Sequence, residues 1–71
     1  MPKPPVWVEI WRGTDRQIYE QIRDHLMLET TLSCMFAQDP PEGGPGAQTV
    51  ISVLEQDLTE GQEIVEEIRK K

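Results

Sequence analysis

This sequence predicts a small α+β domain: a three-stranded sheet in the order 2-3-1 with two helices on one of its faces. Three observations carry the prediction. Short runs rich in β-branched and aromatic residues alternate with stretches of three- and four-residue apolar spacing. Both helical stretches open on a capping signal. The order reads strand, helix, strand, strand, helix, a split β-α-β pattern.

Val6-Trp7-Val8-Glu9-Ile10-Trp11 is the first strand, on its β-branched and aromatic content. Strict alternation puts Val6, Val8 and Ile10 on one face and Trp7, Glu9 and Trp11 on the other. Residues 1–5 form an extended tail whose prolines cannot donate to a ladder and blunt that end of the strand. Arg12-Gly13 then turns the chain. Thr14-Asp15-Arg16-Gln17 fits a capping box, with Thr14 as N-cap and Gln17 reaching back. Ile18, Ile22 and Leu26, joined by His25 or Glu29, make one apolar stripe with Tyr19 and Met27 at its margins. The helix runs from about residue 15 to about residue 29. Thr30-Thr31 ends it, because stiff β-branched side chains are poor in helices.

Leu32-Ser33-Cys34-Met35-Phe36-Ala37 is the second strand. Leu32, Cys34 and Phe36 share one face, and Ser33, Met35 and Ala37 the other. Gln38–Ala47 holds three prolines and three glycines, so residues 38–48 are read as a flexible loop longer than a tight hairpin needs. Gln48–Leu54 is the third strand, nearly apolar throughout, as suits a central strand covered on both faces. Asp57 is the N-cap of the last helix, with Glu60 three residues on. Leu58, Gly61, Ile64, Val65 and Ile68 form its buried stripe, while Glu63, Glu66 and Glu67 stay in water. Gly61 costs roughly 1 kcal/mol of helix propensity against alanine. A close approach of helix to sheet is the use expected of it.

A right-handed crossover between strands one and two leaves a gap for strand three, antiparallel to both. Both helices then cover one face. If the helices cover Val6, Val8, Ile10, Leu32, Cys34 and Phe36, then Trp7, Trp11 and Met35 face outwards, and the opposite assignment also leaves apolar surface to cover. Such a patch is large for a solvated monomer.

Composition narrows the function. The 71 residues make one domain, and a chain this short buries a modest fraction of its surface. Cys34 is the single cysteine and His25 the single histidine, so neither a disulfide nor a metal is expected to add stability. Self-association is the remaining common source of buried area. The net charge of −6 argues against nucleic acid or an anionic membrane as partner. Arg69-Lys70-Lys71 reads as favourable charge at a helix C-terminus. No apolar run approaches the roughly 20 residues of a membrane span. The N-terminal residues lack the apolar stretch of a secretory signal, so a cytoplasmic protein is expected.

Val53-Leu54-Glu55-Gln56-Asp57-Leu58-Thr59-Glu60-Gly61-Gln62-Glu63-Ile64-Val65 resembles a stretch of the DUF2007 family, short prokaryotic chains labelled signal-transducing. The family shows a valine, acidic residues, a leucine, a small residue and two aliphatics there, and Gly61 takes the small position, usually alanine. Leu26-Met27-Leu28-Glu29 leading into Leu32 is similar to the family's helix end and following strand. Thr31 stands near the family's usual glycine and Ser33 near its usual proline. The resemblance implies this element order, half of a ferredoxin-like or PII-like domain, and a bacterial protein. It implies no catalytic residue.

Candidate chemistry is sparse. Cys34 with His25 suggests a nucleophile and base, yet Cys34 sits mid-strand among apolar neighbours, where an inert, buried thiol is the better reading. The glycines 43, 44 and 46 lack the lysine and hydroxyl of a phosphate-binding loop and do not lead into a helix. Glu66 and Glu67 are adjacent on a helix and point apart. Trp7 and Trp11 are the strongest candidates, since tryptophan is enriched among interface anchors. Closure of a monomer core and a small-molecule cleft are the alternative uses of both. Arg12 and Arg16 are placed as a polar rim near the same strand end. The expectation is a non-enzymatic protein without cofactor or metal, a homodimer or the binder of a protein partner, using Trp7, Trp11, Arg12 and Met35. A PII-like sensor of a small molecule, bound near the 38–48 loop, is the alternative.

Overall fold

In the computed structural model the first strand begins one residue later than its apolar run and extends further, as β1 (Trp7–Gly13). The chain continues through α1 (Arg16–Leu28), β2 (Cys34–Asp39), β3 (Gln48–Leu54), a 3₁₀ turn over Glu55–Asp57 and α2 (Leu58–Arg69). The structure describes residues 2–70. Met1 of the tail and Lys71 of the basic run lie outside the described residues.

The sheet has the order β1-β3-β2 with β3 antiparallel to both neighbours, so β1 and β2 run parallel on either side of it. Both helices pack on one face. Ile22 and Leu26 of α1, Ile64 and Val65 of α2, and Ile51 of β3 meet in a single core cluster. The shortest dimension is 17 Å, which fits one sheet under one layer of helices. The β3 pattern therefore resolves: Ile51 and Val53 are buried beneath the helices, whereas Val50, Ser52 and Leu54 lie on the opposite face, half-buried. Cys34 and Phe36 stand opposite Val53 and Ile51 and so share the helix-covered face.

Local signals work as physical chemistry requires, with shifts of position. The N-cap of α1 is Asp15 rather than Thr14. Its Oδ1 accepts from the backbone N–H of Gln17 at 3.0 Å and of Ile18 at 3.2 Å. A carboxylate in that place satisfies two orphan donors at the positive end of the helix. At the other end the Thr30 hydroxyl donates to the Leu26 carbonyl at 2.7 Å and accepts from Leu32 N–H at 3.4 Å. Thr30 thus stops the helix through its oxygen as well as its branching. Asp57 occupies the N-cap position of α2, but its side chain makes no capping bond, because the 3₁₀ turn leads directly into the helix. Glu55 N–H in that turn donates to the Val6 carbonyl at 2.9 Å and ties it to the start of β1.

Gly61 is buried. A Cβ there would meet Val53 Cγ2 at 3.2 Å and two carbons of Ile10 at 3.3 Å. The propensity lost at this glycine is thus offset by seating α2 close to the sheet.

Candidate functional site

The faces of β1 do not follow simple alternation. Its pairing with β3 slips between Glu9 and Trp11: Glu9 stands opposite Ser52, and Trp11 opposite Ile51, which leaves Ile10 as the extra residue of a bulge. Directly opposed residues share a face. Val8, opposite Val53, therefore faces the helices, and Trp7, opposite Leu54, faces away. Past the bulge the parity reverses. Trp11 turns in beside Ile51, and Arg12, opposite Val50, turns out.

Trp11 is thereby removed from the open face on which alternation placed it. Its ring stacks with Tyr19 at 6.5 Å between centroids and an interplanar angle of 27°. Tyr19 in turn meets Phe36 edge-on at 6.1 Å. The three aromatics line the underside of α1, and Trp11 packs against the core cluster. Of the four residues predicted as a binding surface, the structure gathers Trp7, Arg12 and Met35 on the open face and leaves Trp11 beneath the helices.

The open face is then a mixed surface. Trp7 and Leu54 form an apolar corner, bordered by Pro4, Pro5 and Val6 of the tail across a shallow groove. Met35, opposite Ser52, is 42% exposed, and Ala37, opposite Val50, continues the stripe. Arg12 crosses the sheet. Its Nη1 donates to Asp39 Oδ2 at 2.8 Å and to Gln48 Oε1 at 3.4 Å, and its Nε donates to Glu9. The hydrogen bonds it donates to Glu9 and then to Asp39 raise the Arg12 pKa above its ordinary value, so the guanidinium remains charged. One arginine between two carboxylates leaves this belt a single excess negative charge on a chain of net charge −6.

Arg16 does not join that rim. It lies on α1 with its Nε 3.5 Å from Glu20. With Tyr19, Arg23, Phe36 and Thr49 it borders an open groove on the helix side, next to the 40–47 loop. The Arg23 guanidinium stands 5.5 Å from the Tyr19 ring centroid.

The Cys34 and His25 side chains occupy separate settings. Cys34 packs against the core, and burial pushes its thiol pKa up, away from the thiolate a nucleophile needs. His25 Nδ1 lies 2.9 Å from Glu29 Oε2, one turn along α1. Among the described residues no group of three or more His, Cys, Asp or Glu side chains is placed to hold a metal ion. No described helix is long and apolar enough to cross a membrane.

Comparison adds no relative. The chain matches no protein-family model, no curated protein and no solved structure.

A signal for the bulge was present in the sequence. If alternation is carried from Val8 through Ile10 to Arg12, the arginine falls beneath the helices, where an unpaired charge is costly. One extra residue before Trp11 removes the conflict and sets Glu9 and Arg12 side by side. Ending the strand at Trp11 hides that signal, because Arg12 then belongs to a turn.

Proposed function

We propose that this chain is a non-enzymatic binding protein whose contact surface is the uncovered face of its sheet, and that a second copy is the occupant. The observation that supports the reading is the two-layer arrangement. One sheet face lies under both helices, while the other leaves Trp7, Leu54, Met35 and Val50 without a covering layer. Exposed apolar area of this kind marks association surfaces, and tryptophan and methionine are enriched in them. The Glu9–Arg12–Asp39 belt favours a copy. Its charges largely cancel, so two such faces repel far less than the whole acidic chains do. Trp7 is the anchor, Met35 extends the contact, and Arg12 forms the polar element beside them.

Membership of the DUF2007 family, a bacterial origin, a cytoplasmic location and a role in signalling belong to the same proposal. They are supported by the Val53–Val65 stretch and by the element order that the resemblance implies.

Light scattering across a wide concentration range tests the reading. A mass of at least twice the chain, lowered by Trp7→Ala, is the expected result. A strict monomer at the highest concentration would overturn it. One observation favours the sensor reading: the 40–47 loop borders the groove that holds Arg16, Tyr19 and Arg23. A small ligand seated there would raise the melting temperature in a metabolite screen and shift the resonances of Tyr19 and Thr49. Absence of any such shift across the screen would dismiss it.

A further inference from the structure

The two outer strands of the sheet are protected to very different degrees. β1 follows Pro4 and Pro5, carries a bulge, and bears Glu9 and Arg12 on its exposed face. Each of these features discourages another strand from pairing along an edge. β2 has no bulge, and its charge and flanking prolines, Asp39 and then Pro40-Pro41, stand only at its last residue and beyond. Its register with β3 is unbroken from Cys34 to Asp39, and it holds no proline, glycine, lysine or arginine. Its one charge is Asp39, at the last position. In a strand paired on one side only, alternate N–H and C=O groups point outwards in the plane of the sheet. Within Cys34–Asp39 the outer edge of β2 is therefore an uninterrupted row of donors and acceptors.

We infer that β2 pairs antiparallel with β2 of a second copy, about a two-fold axis normal to the sheet, and joins two three-stranded sheets into one of six strands. The inference goes beyond the face contact proposed above, since it uses the backbone of β2 rather than the side chain of Trp7.

The side chains define the register. With the helices of both copies on the same side, opposed residues must have the same parity, so the axis lies midway between two copies of one residue. Centring it on Phe36 opposes Phe36 to Phe36, Met35 to Ala37 and Cys34 to Gln38 of the second copy. Each pair then shares a face, and the central one is an aromatic pair, a favourable cross-strand combination. Asp39 falls opposite Ser33, and the two Asp39 carboxylates lie about 20 Å apart along the strands. Parallel pairing would instead set them side by side on an already acidic chain. The strand is thus complementary to itself in one direction only, which argues for a copy over a foreign peptide. Both open faces lie on the same side of the joined sheet, so edge pairing and face stacking are compatible and together give an assembly of four.

Amide hydrogen exchange followed by NMR on the full chain, from micromolar to millimolar concentration, tests the edge directly. The β2 amides that do not bond to β3 exchange as exposed groups when the chain is dilute. They are expected to slow by at least about tenfold as it is concentrated. A sample mixing labelled and unlabelled chains is expected to show contacts between Phe36 and Phe36 of different molecules. Trp7→Ala separates this inference from the face contact: β2 protection persists in that variant if the edge pairs. Fast exchange of the outward β2 amides at every concentration would overturn the inference. So would β2 protection that disappears with Trp7→Ala, because it would then come from the stacked faces.

Discussion

Trp7 and Trp11 lie four residues apart on one strand, yet they belong to different parts of the molecule. Trp7 stands opposite Leu54 on the uncovered face, whereas Trp11 stands opposite Ile51 and stacks on Tyr19 beneath α1. Identical chemistry at even spacing would leave both on one side of an ideal strand. The extra residue at Ile10 divides them. One bulge thus supplies the core with an aromatic and replaces it on the open face with Arg12. Where a residue sits depends on the count of residues between it and its partner strand, and not on its hydrophobicity alone.

The contrast between the faces is sharpest when each is damaged in turn. Ile51→Ala removes a fully buried side chain at the centre of the covered face and is expected to cost about 2–5 kcal/mol. A domain of this size has total stability on the order of 5 kcal/mol, so urea titration should find the variant largely unfolded. The tryptophans give the direct test. Trp11→Ala should destabilise by about 2 kcal/mol, below the full cost of a buried aromatic because the ring is only half-buried. Trp7→Ala should cost the dilute monomer at least about 1 kcal/mol less and show its main effect on association. Equal losses in urea would break the comparison.

Two smaller changes probe how the helices are seated on the covered face. Gly61→Val forces branched carbons into a space where even a Cβ lies 3.2 Å from Val53, so overpacking of about 1–3 kcal/mol is expected from the same titration. Asp15→Ala leaves the Gln17 and Ile18 N–H groups without their carboxylate and should cost about 1 kcal/mol, with fraying at the start of α1 seen by hydrogen exchange.

The smallest expected effect is a pH dependence on the covered face. Burial raises the Cys34 thiol pKa in the fold above its ordinary value of 9.0. The neutral thiol is therefore favoured by folding. The associated stability is present below 9.0 and is lost as pH rises through the folded-state value. Denaturation above and below pH 9.0 should show a steeper alkaline decline in the wild type than in Cys34→Ala. Parallel declines would mean that water reaches the thiol.

Much of this was legible in the residues themselves. Apolar spacing located both helices and their buried stripes, Ile22 and Leu26 in one and Gly61, Ile64 and Val65 in the other. Gln48–Leu54 was identifiable as the central strand, and element order alone led to the 2-3-1 sheet that the structure shows. These features are local or nearly so, because periodicity and capping act over one or two turns. The ends of β1 and β2 shifted by a residue or two because they depend on which backbone groups find partners on β3, a non-local pairing.

The composition of each face was not legible, and the reason is physical. Gln48–Leu54 is apolar on both sides, so its side-chain pattern alone does not say which side the helices cover. Only the packing of Ile51 and Val53 against α1 and α2 decides it. Likewise the position of Trp11 depends on the register of β1 against β3, a pairing between residues about forty positions apart in the chain. The sequence by itself determined the elements, their order and an acidic chain with apolar residues to spare. Only the tertiary structure decided which of those residues remain uncovered, because a face exists only once strands are paired and a layer of helices has chosen its side.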